Sequence, residues 1–207
     1  MERSTLAVGS LEALASLVDD DALDLAVGAD VVVVTTAAAF VSPAACAVRV
    51  AATFETRGAR VEALMVIDRT SADERYFAER VTAADLVVLV DGSPLHARSV
   101  WRDTAVGAAI DGATSLVAIG SVGTVLGDLM IDPRGGAPTT GLGYRGGVVI
   151  TAPESEEQLV RTRALLGAIE VLVVLGPLGV LERRDGRWRV VRHEGVECTR
   201  GLDPVTL

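Results

Sequence analysis

Three apolar runs leave this chain few folds to choose from: "ADVVVVTTAA" (29–38), "DLVVLVD" (85–91) and "SLVAIG" (115–120). Each is continuous rather than alternating, and each is bounded by turn residues. Strands of that kind are buried on both faces, as in parallel sheets covered by helices. The segments between them read as helices. "SPAACAVRVAATFETRG" (42–58) opens on Ser-Pro and stops at Gly58. The stretch 71–83 has Ser71 three residues before Glu74, the spacing of a capping box. The stretch 94–112 is helical with a break at Asp103-Thr104. Further strands are expected at 5–9, 61–67 and 148–151, and at "EVLVVLG" (170–176). Arg184-Asp185-Gly186-Arg187 lies between two β-prone runs, a hairpin signal.

This β-α-β-α order predicts an α/β fold with a mostly parallel sheet, helices on both faces and a C-terminal hairpin at one edge. Ligand sites in such folds lie at the C-terminal ends of the strands. No internal repeat or long linker divides residues 1–207, so one domain is expected.

Charge and composition narrow the function. The net charge of −9 argues against a phosphate-backbone binder, so no nucleic-acid partner is expected. No apolar run reaches the ~18 residues of a membrane span. The N-terminal stretch 1–21 has acids soon after its apolar part and no signal-peptide pattern, which makes a cytoplasmic location the expectation. Cys46 and Cys198 stand far from any cluster of metal ligands, and neither a disulfide, a metal nor a cofactor is called for. Gly141-x-Gly143-x-x-Gly146 matches the dinucleotide fingerprint in form, but it follows a loop and precedes a strand, the wrong context for holding phosphate.

The chemistry-bearing candidate is "IGSVG" (119–123), at a strand-to-helix turn with "GTVLGDLMI" read as helix beyond it. A nucleophile elbow places small residues two positions before and after its serine. For Ser121, Gly123 satisfies this and Ile119 does not. Ser121 could equally cap the following helix. A serine nucleophile needs a base, and only His96 and His193 exist. Asp91, at the end of an apolar run, could be an acid, a ligand or the cap of the next helix.

Taken together, "VVVVTTAAAF-x-SP", "VEALMVIDR", "DLVVLVDGSPLHARSVWRDT", "DPRGG" and "TTGLG" resemble the cyanophycinase and dipeptidase E group, over nearly the whole chain. The resemblance implies the class I glutamine-amidotransferase-like fold, a flavodoxin-like three-layer αβα sandwich. It implies a serine hydrolase cleaving peptide or isopeptide bonds next to aspartate. Three parts of that machinery are altered. Aligned from "DPRGG", the family's Gly-[Ser/Thr]-Ser-Ala-Gly-Ala elbow falls on Ala118–Gly123, with Gly120 at the nucleophile position and Ser121 one residue beyond it. The Gly-Gly pair of the oxyanion site reads Asp91-Gly92, and the histidine position falls near Ala152 or Pro153. A pseudoenzyme is therefore expected, with a remnant cleft of Asp91, Gly92, Gly120, Val122 and Pro153, and Ser121 as nucleophile if catalysis persists. Its expected partners are a small acidic or peptide ligand, a second copy of the chain or an active paralogue.

Overall fold

The structure is a computed structural model that describes residues 3–23, 25–168 and 170–207. In chain order its first half runs β1 (Ser4–Val8), α1 (Leu11–Asp19), β2 (Asp30–Val34), α2 (Pro43–Glu55), β3 (Arg60–Leu64), α3 (Arg69–Ala72), α4 (Arg75–Ala83), β4 (Leu86–Leu89), α5 (Pro94–Trp101), α6 (Ala105–Gly112) and β5 (Ser115–Ile119). The second half runs β6 (Leu129–Ile131), β7 (Pro138–Thr140), β8 (Val149–Thr151), α7 (Glu156–Leu166), β9 (Val171–Leu175), β10 (Val180–Arg184), β11 (Arg187–Arg192), β12 (Val196–Arg200) and β13 (Asp203–Pro204).

The central sheet has the order β11-β10-β1-β5-β4-β2-β3. Its five strands β1 to β5 are mutually parallel, and the antiparallel hairpin β10-β11 closes one edge. This is the α/β sandwich expected. The apolar runs are continuous because both faces are covered. Val31, Val33, Val88 and Val117 pack with Leu14, Val50 and Phe54 of α1 and α2. Val32, Val34, Val87 and Leu116 point the other way, onto Val100, Trp101 and Ile110 of α5 and α6. The hairpin turns on Asp185 (φ 52°) and Gly186 (φ 78°), the two left-handed residues of a type I′ turn. The helical stretch 94–112 breaks where expected. Asp103 adopts φ 56°, and the Thr104 hydroxyl accepts the Gly107 N–H at 3.3 Å to start α6.

Three expectations are corrected. The stretches 148–151 and 170–176 do form strands, but in a second sheet of order β13-β12-β9-β8 rather than in the central one. Its inner face reaches the first sheet through Val148, Ile150 and Val173 against Ala7, Leu181 and Trp188. The helix expected over 71–83 is two helices. The capping box is Asp68 with Ser71, whose N–H the Asp68 carboxylate accepts at 2.8 Å, and α4 starts afresh after Glu74. Hydrogen bonds from the Ser71 N–H and hydroxyl, opposed more weakly by burial, hold the Asp68 carboxyl below the usual carboxylate range. "GTVLGDLMI" is not an α-helix either. A 3-10 turn covers Gly120–Leu126 and the chain then enters β6.

Candidate functional site

The adjacent parallel strands β2 and β4 send their connections to opposite faces of the sheet. β2 continues into a 3-10 turn (Thr36–Ala38) and α2, and β4 continues into α5. Such a divergence opens a crevice at the carboxyl ends of the strands, the place where open α/β sheets hold ligands. The strand ends here are tightly framed. The Ser93 N–H donates to the Ala37 carbonyl at 2.7 Å. Trp101 Nε1–H donates to the Thr36 hydroxyl at 2.9 Å, and that hydroxyl donates to the Val66 carbonyl at 2.6 Å. Gly92 adopts φ 152°, and a Cβ there would overlap the Ala37 carbonyl oxygen. Only glycine fits so close an approach.

The third wall is the end of β5. Ile119 is the last strand residue, its side chain buried with Val8 and Val117. Gly120 then turns the chain with φ 62°. That is a left-handed apex where a strand passes into a 3-10 turn, in the place where a strained nucleophile turn would stand. The apex residue has no side chain, and the space beside it is taken. A Cβ at Gly120 would overlap the Asp91 carboxylate carbon, with the two carboxylate oxygens at 2.5 and 2.6 Å.

Asp91 Oδ1 is the hub of the site. It accepts the Gly92 N–H at 2.8 Å, the Ser121 N–H at 2.9 Å and the Ser121 hydroxyl at 2.8 Å. Ser121 Oγ also lies 2.6 Å from the Gly92 carbonyl oxygen. Of the roles open to Asp91, helix capping is excluded, since Ser93 caps α5 by accepting the His96 N–H at 3.3 Å. Ser121 is likewise no cap: it is the second residue of the 3-10 turn, which has no side-chain cap.

The remaining candidates make no side-chain hydrogen bond to this hub among the described residues. Val122 is fully buried in the apolar cluster with Trp101 and Val125, so it offers no side chain to an open cleft. Pro153 follows β8, on the second sheet. His96 Nε2 is 2.8 Å from the Ile67 carbonyl oxygen, and its ring meets Phe40 edge-on at 4.5 Å. His193 is exposed in the turn between β11 and β12. Among the described residues, neither histidine is hydrogen-bonded to Ser121 or Asp91. The Gly141–Gly146 stretch is a loop, with Gly143 at φ 74°. The Asp91–Ser121 pair itself had no signal in the sequence, because 30 positions separate its members.

Cys46 and Cys198 are both free. Among the described residues no group of three His, Cys, Asp or Glu side chains is placed to hold a metal ion, and no helix is long and apolar enough to cross a membrane. A cavity of about 570 Å³ opens at the opposite end of the sheet, where Leu6, Leu23, Leu25, Leu86 and Leu116 surround Glu182. Its walls include none of the hub residues. Glu182 is already paired with Arg184 and Arg189.

No family profile and no curated protein matches the sequence. Solved structures do. A peptidase from an acI-B1 Actinobacterium is similar with a TM-score of 0.75 and 22% identity, over 100% of this chain and 94% of its own. A Listeria monocytogenes EGD-e protein assigned to peptidase E is similar with a TM-score of 0.66 and 12% identity, over 93% of this chain and 99% of its own. The fold is thus the one these peptidase-type proteins share.

Proposed function

We propose that this chain is a non-catalytic homologue of the cyanophycinase and peptidase E group of serine peptidases, acting in the cytoplasm by binding rather than by hydrolysis. One observation carries the reading: the apex of the elbow is Gly120, and the Asp91 carboxylate fills the space where a nucleophilic side chain would stand. Covalent hydrolysis needs a nucleophile, a base that activates it and a seat for the oxyanion. Here the first position has no side chain, and His96 and His193 are engaged or exposed elsewhere. Removing a triad member costs about 10⁴-fold or more in rate. What remains is a framed crevice at the strand ends, suited to a peptide segment or to a surface of a second copy or a paralogue.

The test is turnover of aspartyl dipeptides by the pure protein. No release above the uncatalysed rate is expected. Turnover abolished by Ser121→Ala would overturn the reading.

A second reading has one observation in its favour: Ser121 Oγ lies 2.8 Å from a carboxylate oxygen, within reach of proton transfer. It would make Ser121 the nucleophile and Asp91 its base. Against it, Asp91 Oδ1 already accepts two backbone N–H groups beside the hydroxyl. Labelling of Ser121 by a fluorophosphonate probe would favour this reading, and an unlabelled protein would dismiss it.

A further inference from the structure

Two backbone N–H groups converge on one oxygen in this molecule, and they come from different strand ends. The Gly92 N–H follows β4 and the Ser121 N–H follows β5. Their distances to Asp91 Oδ1, 2.8 and 2.9 Å, fall in the range of about 2.7–3.1 Å that an oxyanion seat requires. One donor follows the apex residue of an elbow and the other comes from a neighbouring loop, the two sources from which such seats are made. Both positions are conformationally set. Gly92 cannot carry a Cβ against Ala37, and Gly120 holds the left-handed turn that aims the Ser121 N–H inward.

We propose that Asp91 is an autoinhibitory plug: its carboxylate oxygen occupies a seat built for one anionic oxygen and keeps acidic ligands out of the crevice. This deepens the non-catalytic reading and rests on its register, in which Gly120 holds the apex. The chain itself supplies the oxygen that fills the seat. The Ser121 hydroxyl lies against the same oxygen at 2.8 Å, its single proton divided between that oxygen and the Gly92 carbonyl at 2.6 Å. An incoming carboxylate would have to displace an oxygen that two backbone donors already hold, and it would meet a like charge as it approached. The ligands that fit the crevice as it stands are neutral or cationic at this point, such as the unblocked amine or the backbone of a peptide.

The experiment is an acetate titration followed by the amide signals of Gly92 and Ser121 in nuclear magnetic resonance spectra. In the wild-type protein these signals should not respond. In Asp91→Gly, which empties the seat, both should shift saturably, with an apparent affinity at least about tenfold above any wild-type response. Asp91→Asn keeps a side-chain oxygen at the seat and should stay silent, which separates plugging from a general loosening of the crevice. The remaining amide signals report whether each variant is folded. A folded Asp91→Gly protein whose Gly92 and Ser121 amides ignore acetate would overturn the proposal, and so would an Asp91→Asn protein that binds acetate equally well. Dipeptide turnover by the wild-type protein would instead overturn the non-catalytic reading while leaving this titration's result to stand.

Discussion

Asp91 Oδ1 holds both the hydroxyl and the backbone N–H of Ser121, at 2.8 and 2.9 Å. One carboxylate thereby ties the end of β4 to the turn that follows β5. The same carboxylate sits over Gly120, so the residues at 91 and 120 constrain each other directly. Such a pair should behave non-additively when changed.

Gly120→Ser in an otherwise unchanged chain is expected to destabilise the protein by about 2–4 kcal/mol. Left-handed backbone costs a side-chain-bearing residue about 1–2 kcal/mol, and overpacking against the carboxylate adds a similar amount. Combined with Asp91→Gly, the overpacking part should be relieved, giving a coupling of about 1–2 kcal/mol in a double-mutant cycle of urea unfolding. Additive effects would mean that the two residues do not share the space.

Gly92→Ala is expected to cost about 3 kcal/mol or more, since the new methyl meets the Ala37 carbonyl, a backbone atom that cannot swing aside. Gly112→Ala is the matched control. Nothing lies within 4 Å of a Cβ at Gly112, the last residue of α6, so that change should be neutral or stabilise by about 0.5 kcal/mol. Chemical denaturation of the two variants checks both.

Arg145 is 2% exposed and ties several segments together. Its Nε donates to the Thr5 hydroxyl at 2.8 Å, and its Nη1 donates to the Asp111 carboxylate and carbonyl, each at 3.1 Å. Further bonds reach the Tyr144 and Ala113 carbonyls at 2.8 and 3.3 Å. Arg145→Met should cost about 3–5 kcal/mol, because buried acceptors lose their donors. Arg145→Lys should restore little, since an ammonium cannot reproduce the planar fork. Full rescue by lysine in thermal unfolding would contradict this account.

Burial pushes the Tyr144 hydroxyl up to about 12, helped by the nearby Asp111 and Asp103 carboxylates. Its folded value lies above the unfolded one of about 10. The stability linked to this proton is therefore complete below pH about 10 and is lost as the pH rises towards 12, an effect on the order of 2 kcal/mol. Unfolding midpoints measured across that window should fall for the wild-type protein and stay flatter for Tyr144→Phe.

The central sheet was legible because burial on both faces leaves a mark on each strand: Val31 to Val34 are all apolar, and alternate residues feed alternate cores. The break at Asp103-Thr104 and the Asp185-Gly186 hairpin were legible because their residue types suit the local backbone they adopt. The membership of β8 and β9 in a second sheet was not. Strand character is local, whereas pairing depends on long-range packing about Trp188 and Val173. The cap at Asp68 was missed because Ser71 fits two boxes, and the Asp68 carboxylate takes the N–H that a Ser71 cap would have left to the next turn. In the site, alignment from "DPRGG" put Gly120 at the nucleophile position, and the structure gives that residue a φ of 62°. That Asp91 would fold back over it, 29 positions away, is a matter of geometry that residue order does not encode.

The overlap between Asp91 and Gly120 also bears on which sequences lie one step away from this one. A serine introduced at 120 collides with the carboxylate, and a glycine introduced at 91 leaves the apex without a nucleophile. On the proposed non-catalytic reading neither single replacement moves the site towards hydrolysis, and the first costs stability. A side chain at the apex would therefore need two changes in a fixed order, with residue 91 cleared before residue 120 gains a Cβ.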